Sequence, residues 1–212
     1  MYGRFNIRIE PAFCISASKE KEEKTVKNQK LTLRALTEGA IFVAAAQVLC
    51  YLKLWRMPWG GSITLAMIPL FVYAVRWGLG PGLLAGFVYG VLQFAFDGGF
   101  AIGWQSIIGD YLLAYAALGL AGLARGKKNG IFTGTLIGGL GRFLVHYVVG
   151  ATIWAEYMPE EFFGMTMHTP WFYSLLYNLA YMLPNIVICL VVFAILGKPL
   201  GRYFRGEDLK KA

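Results

Sequence analysis

Hydrophobic residues in this chain come in long runs rather than in strict alternation. After a polar opening, six apolar segments follow at roughly residues 35–54, 62–77, 80–96, 104–124, 130–154 and 171–197. Several approach the ~20 residues that a helix needs to cross a bilayer. The second and third are short and are expected to be bent, tilted or partly enclosed by protein. The turn Gly78-Leu79-Gly80-Pro81-Gly82 between them is tight enough to force a hairpin. The pattern predicts an all-α fold: an integral membrane protein of six transmembrane helices over residues 35–205, a charged and flexible cytoplasmic tail over 1–34, and a short cytoplasmic tail over 206–212.

Composition sharpens that reading. The 212 residues are 57% hydrophobic and only 15% charged, with a mean hydropathy of +0.53, too apolar for an ordinary soluble domain. A net charge of +8 could suggest nucleic acid, but no Lys or Arg lies between Arg76 and Arg125 or between Arg142 and Lys198. The basic residues sit at segment ends and tails, the footprint of membrane topology rather than of a phosphate-binding surface. With six spans, the N-terminal tail, Arg76, Arg125-Gly126-Lys127-Lys128 and the C-terminal Lys/Arg residues fall on one side, so both termini are expected to be cytoplasmic. The 155–170 loop, with Glu156, Glu160 and Glu161, faces the other way. Arg8, Glu10 and Pro11 interrupt the only candidate signal-peptide core. Cys14, Cys50 and Cys189 show no metal or redox spacing.

Polar residues inside the spans then point to a site. Counting ~1.5 Å per residue from the outer ends, Asp110 on the fourth span lies ~9 Å down, His146 on the fifth ~12 Å and Asn178 on the sixth ~10 Å, with Tyr173 near the surface. Three helices thus present polar groups at a similar depth. An Asp in a helix centre costs about 2.5–3.5 kcal/mol to insert, so it normally faces a cavity and has a partner; a structural pair with His146 or Arg142 is the plain alternative. On the fifth span, His146, Gly150 and Trp154 recur every four residues and share a slowly turning stripe, with a gap at Gly150 where a flat ring could approach the backbone. The row continues back through Arg142, Gly138, Gly134, Gly130 and Gly126, and its glycines read first as a helix-packing seam. Glu38, four residues after Arg34, reads as a helix-surface ion pair.

Several chemistries are missing. The chain has no Gly-x4-Gly-Lys-Ser/Thr loop to use ATP itself, no His-Glu-x-x-His and no Gly-x-Ser-x-Gly elbow. The expectation is binding rather than catalysis, with no enzyme activity.

At these residues the chain resembles the thiamine-specific S components of bacterial energy-coupling-factor (ECF) vitamin transporters, over about residues 31–205. The motifs that carry the likeness are Leu36-Thr37-Glu38-Gly39-Ala40-x3-Ala44, Gly60-Gly61-Ser62-Ile63-Thr64-Leu65-x-Met67-Ile68-Pro69, Gly82-Leu83-Leu84-Ala85-Gly86-Phe87-Val88-Tyr89-Gly90, Gln105-x4-Asp110-Tyr111, His146-x3-Gly150-x3-Trp154 and Tyr173-x4-Asn178-x2-Tyr181-Met182-Leu183-Pro184. The resemblance implies a six-helix protein of the bacterial cell membrane that binds thiamine with high affinity near the outer surface. It implies that Trp154 stacks on the aminopyrimidine, His146 flanks the thiazolium, Gly150 admits the ligand to the helix and Asp110 answers the fixed positive charge. Tyr111, Tyr173 and Asn178 would meet the ligand's polar edges, and Trp59, or else Trp55, would close the site from the loop after the first span. Family members can carry Glu at the position of Asp110, one methylene longer. The resemblance further implies docking through Ala40, Ala44 and Val48 onto a membrane-embedded coupling subunit driven by two cytoplasmic ATPases. No cofactor is implied beyond thiamine as the transported ligand, and no nucleic-acid partner. An S component for another ring-bearing vitamin, such as riboflavin or a thiamine precursor, is the alternative.

Overall fold

The structure is a computed structural model that describes residues 32–58, 60–96 and 100–211. The expected N-terminal tail falls almost wholly on residues 1–31, outside the described residues. Six helices make the body: α1 (Leu33–Cys50), α2 (Met67–Trp77), α3 (Leu79–Phe96), α4 (Trp104–Ala124), α5 (Gly130–Thr152) and α6 (Pro170–Phe204). The loops add two short antiparallel ladders, β1 (Trp55–Arg56) with β2 (Ser62–Ile63), and β3 (Glu161–Phe162) with β4 (Met165–Thr166). Five helices, all but α2, are long and apolar enough to cross a membrane.

The helix α2 explains the short second segment. Its 11 residues rise only ~16 Å, and nine of them are buried, Met67 and Pro69–Arg76. It is the centre of the bundle, with Phe71, Tyr73, Ala74 and Val75 in the main apolar core. Gly78, with φ of 95°, reverses the chain directly into α3 in a conformation that side chains rarely adopt.

Glycines let the neighbouring helices come within backbone contact. A Cβ at Gly86 or Gly90 of α3 would fall on the carbonyl oxygens of Tyr115 and Tyr111 in α4, and one at Gly119 or Gly122 of α4 would strike the backbone of α3 or the Gly78 turn. On α5, a Cβ at Gly134 would lie 2.6 Å from Val75 Cγ2 and one at Gly138 2.6 Å from the Leu118 carbonyl. That part of the α5 row is the packing seam its small-residue spacing suggests.

The long helix α6 runs 35 residues through Pro184 and Pro199, beyond the expected 171–197. Its start is fixed by Pro170 in the first turn and by Thr169, whose hydroxyl accepts from the Phe172 N–H at 3.2 Å. These are the usual devices of a helix N-terminus.

A charged cluster closes one end of the bundle and corrects the surface-pair expectation for Glu38. Arg34 does reach Glu38 at 3.1 Å. Glu38 also accepts from Arg76 Nε at 2.8 Å and from Trp77 Nε1 at 2.8 Å. Arg76, with no exposed side-chain surface, donates as well to both carboxylate oxygens of Asp208, at 2.5 and 2.6 Å, and to the Tyr203 carbonyl at 3.0 Å. A guanidinium is tolerable in such a place only when its donors are all met. Residues beyond 205 turn back as a short 3₁₀ segment, Glu207–Lys211, that delivers Asp208.

Candidate functional site

A cavity of about 330 Å³ opens between α4, α5, α6 and the β1–β2 hairpin, within the range of small-molecule sites. Of the residues expected to bind ligand, Asp110, Tyr111, His146, Gly150, Trp154, Tyr173 and Asn178 all line it. Trp59 lies outside the described residues, although its neighbours Pro58 and Gly60 border the cavity. Trp55, the alternative, is exposed on β1 and is not part of the wall.

Asp110 sits in a π-helical stretch, Ile107–Leu113, inside α4. The regular 100° step assumed from the sequence therefore fails here, because one extra residue per turn re-aims the side chains that follow; such bulges recur at functional sites. Gly109 permits close approach of α5, since a Cβ there would stand 2.5 Å from Val149 Cγ2. The carboxylate, 18% exposed, accepts from Ser106 Oγ at 2.9 Å, from His146 Nδ1 at 3.1 Å and from Trp154 Nε1 at 2.7 Å. Asp110 thus has the His146 partner weighed above, while Arg142 reaches it only through His146: Arg142 Nε donates to His146 Nε2 at 3.3 Å. Arg142 also lies over the Tyr115 ring, 4.2 Å from its centroid.

Trp154 is not on α5. The helix ends at Thr152, and Trp154, with φ −92° and ψ 9°, leads into the 3₁₀ turn Ala155–Tyr157. The four-residue stripe holds for His146 and Gly150 but not for the indole, which is placed by its bond to Asp110. One face of Trp154 stacks on Phe100, with centroids 5.5 Å apart and planes 23° from parallel, and Tyr157 meets it edge-on. Tyr111 donates its hydroxyl to the Phe100 carbonyl at 3.0 Å, fixing that loop from α4.

Gly150 and Asn178 have packing duties beside their place in the wall. A Cβ at Gly150 would collide with Ser174 Oγ, which donates to the Tyr147 carbonyl at 2.8 Å. Asn178 Nδ2 donates to the Ser174 carbonyl at 2.8 Å and reaches the His146 carbonyl at 3.4 Å, while its Oδ1 accepts from Tyr181 at 2.8 Å. The bare backbone at Gly150 therefore admits α6.

Sequence reasoning missed Arg142 as a lining residue, together with Tyr115, Ser174, Tyr177 and Tyr181. The last two were findable: Tyr173, Tyr177 and Tyr181 recur every four residues on α6 and form a ladder with centroids 5.7 and 5.9 Å apart. Arg142 stands on the His146 row at the same four-residue spacing, but reads there as a partner of Asp110 and not as a lining residue. The β1–β2 hairpin is seated on this ladder. Asn185 accepts from the Thr64 N–H at 3.0 Å and donates to the Ser62 carbonyl at 2.9 Å, and the Gly61 N–H donates to the Tyr177 hydroxyl at 3.3 Å.

The arrangement is a stacking box around one anion. Among the described residues, Asp110 is the only carboxylate lining the cavity, accompanied by the cations Lys53, Arg56 and Arg142. Aromatic faces and an acceptor-only carboxylate suit a flat, cationic, hydrogen-bonding ligand.

Comparison with known proteins agrees with the geometry. The model of a family described as thiamine transporter protein matches residues 36–205. The chain is 35% identical over 196 residues to the thiamine transporter ThiT of Bacillus subtilis (strain 168), covering 85% of this chain and 98% of that protein. It is 30% identical over 201 residues to the thiamine transporter ThiT of Lacticaseibacillus paracasei (strain ATCC 334), covering 86% and 96%. The solved structure of ThiT from Listeria monocytogenes superimposes with a TM-score of 0.70 at 27% identity, over 81% of this chain and 97% of that one. With a family match over residues 36–205 and a cavity walled by residues that carried the resemblance, this multi-pass membrane chain belongs to the thiamine transporter protein family.

Proposed function

We propose that the chain is the high-affinity thiamine-binding membrane subunit, or S component, of an ECF-type transporter for thiamine uptake, without catalytic activity or an ATPase site of its own. The observation that carries this is Asp110, the single carboxylate among the described lining residues, held by Ser106, His146 and Trp154 inside an aromatic cavity. Thiamine joins a permanently cationic thiazolium to a flat aminopyrimidine. Desolvated cation–aromatic contacts contribute about 2 kcal/mol or more each, and a buried carboxylate adds charge-assisted hydrogen bonding. Trp154, His146, Tyr111 and Tyr173 supply rings and hydroxyls, Gly150 and Asn178 set the spacing of α5 and α6, and Trp59, outside the described residues, is the tryptophan that the family resemblance assigns to closing the site, with Trp55 the alternative.

In this reading all six helices belong to the membrane domain, α2 being enclosed by the other five, and both termini are cytoplasmic. The clustering of Arg34, Arg76, Arg125 and Arg205 near helix ends supports that orientation. Docking on a membrane-embedded coupling subunit with two ATPases would use Ala40, Ala44 and Val48. All three are exposed on α1, while Ala35, Gly39, Val43 and Ala46 take the internal face. Small residues on a lipid-facing stripe let a partner helix approach closely.

Titration of the purified protein with thiamine, followed by tryptophan fluorescence, tests the function. Stoichiometric quenching by thiamine is expected. Unchanged emission with thiamine, together with a response to riboflavin or another vitamin, would overturn the substrate.

A further inference from the structure

We propose that Arg142 is a positioning residue that keeps His146 a neutral imidazole, with its one proton on Nδ1 committed to Asp110 and Nε2 held as an acceptor. The hydrogen bonds leave little choice. A guanidinium has donors and no acceptor, and an ionised carboxylate has acceptors and no donor. His146 lies between them, 3.3 Å from Arg142 Nε through Nε2 and 3.1 Å from Asp110 Oδ1 through Nδ1. Nε2 must therefore be bare and Nδ1 protonated. The second-nitrogen partner of a histidine commonly fixes its tautomer in this way.

Arg142 is itself held in place. Its guanidinium rests over the Tyr115 ring from α4, and Tyr115 is clamped edge-on by Tyr89 of α3 with centroids 4.9 Å apart. The groups that face His146 are Asp110 from α4, Arg142 from its own helix and the Tyr181 ring from α6, edge-on at 6.3 Å. Lys53 and Arg56 of the hairpin segment line the same cavity. Without Arg142, Asp110 would still draw a proton to Nδ1, and among the described residues no other donor holds the Nε2 side of the ring against a second proton. The imidazolium so formed would put positive charge on the wall that a cationic ligand must approach. Arg142 instead holds its own charge against the Nε2 side of the ring, over the Tyr115 face. The relay also reaches the stacking wall, since the carboxylate that His146 orients is the acceptor for Trp154 Nε1. The consequence for ligand rests on the thiamine reading; the proton position does not.

The chain has two histidines, His146 and the exposed His168, so ¹⁵N-histidine NMR of the full-length protein in lipid nanodiscs reads the state directly, with His168→Gln to assign it. In ligand-free wild type at neutral pH, His146 is expected to show a bare Nε2 and a protonated Nδ1. Arg142→Met is expected to protonate Nε2 and to weaken thiamine about tenfold, by analogy with the loss of outer-shell partners at metal sites. A neutral analogue, its thiazolium replaced by an uncharged ring, should lose much less. Arg142→Lys, which keeps a donor and a charge, should restore both the bare Nε2 and the affinity. A protonated Nε2 in wild type overturns the proposal without any variant. So does a bare Nε2 in Arg142→Met, or an equal loss for both ligands that Lys does not rescue. If wild type binds no thiamine, the proposed substrate fails while the ligand-free spectrum still decides the role of Arg142.

Discussion

Replacing Asp110 with Asn separates charge from shape at the centre of the site. The carboxylate serves Trp154 Nε1 and Ser106 Oγ through Oδ2 and His146 Nδ1 through Oδ1. An Asn amide of the same outline has one oxygen. If that oxygen stays with Trp154 and Ser106, the new NH₂ group faces the His146 N–H, donor against donor. His146 cannot resolve the conflict by moving its proton, because Nε2 faces Arg142, another donor. One bond to a charged acceptor is lost and one donor is stranded, a cost of about 1.5–3 kcal/mol. The only carboxylate in the described wall also disappears, leaving Arg142, Lys53 and Arg56 as the charged groups there. Thiamine also loses its own charge-assisted contact with the carboxylate, worth about 1.5–3 kcal/mol, so its Kd is expected to rise about 10–150-fold. For an isosteric analogue with an uncharged ring the loss should be several-fold smaller, since Coulomb attraction to the carboxylate is absent from both sides of the comparison. Fluorescence or calorimetric titration of both ligands against both proteins gives the four affinities, and the double difference cancels damage to the fold. An equal loss for the two ligands would show that Asp110 is only a structural partner of His146, and charge recognition at this site would be refuted.

Other substitutions test the walls and the body. Trp154→Ala should weaken thiamine about 5–150-fold, the equivalent of the roughly 1–3 kcal/mol of one lost stacking contact, while Trp154→Phe, which keeps a ring but not the bond to Asp110, should fall between it and wild type in the same titration. Gly150→Ala drives a methyl into Ser174 and should cost about 1–3 kcal/mol of stability by overpacking, with binding lost alongside; adding Ser174→Ala should recover much of both in thermal-shift and binding assays, and no recovery would place the conflict elsewhere. Ala40→Trp or Ala44→Trp should leave thiamine binding intact and block co-purification with the coupling subunit, because the side chains point out of the bundle; loss of binding with assembly kept would assign the stripe to internal packing. Asp208→Asn removes charge-assisted bonds from buried Arg76 and should lower stability by about 1.5–3 kcal/mol, seen as a lower Tm, with thiamine affinity in the folded protein unchanged.

What the sequence determined by itself is the part that depends on length and rise. Apolar runs near the bilayer length fix the helices, and a constant rise per residue puts Asp110, His146 and Asn178 at one level, so their convergence on one cavity was readable without coordinates. The outward stripe of Ala40, Ala44 and Val48 was readable as a pattern, but its direction was not, since small residues serve internal and external packing alike. Rotation is what only the tertiary structure decided. Asp110 is aimed by a π-helical turn that α4 adopts where Gly109 meets Val149 on α5, and Trp154 is aimed by a hydrogen bond after its helix has ended. Neither follows from a 3.6-residue period, because both arise where contacts between helices override local geometry. The same holds for charge. Arg142 shares a stripe with His146 in the sequence, yet its place over Tyr115 depends on α3 and α4 crossing at Gly86 and Gly90 closely enough to bring that ring beneath it. The partnership of Arg76 with Glu38 and Asp208, residues 38 and 132 positions away, exists for a like reason. A charge buried by tertiary packing must find its partners wherever the fold brings them.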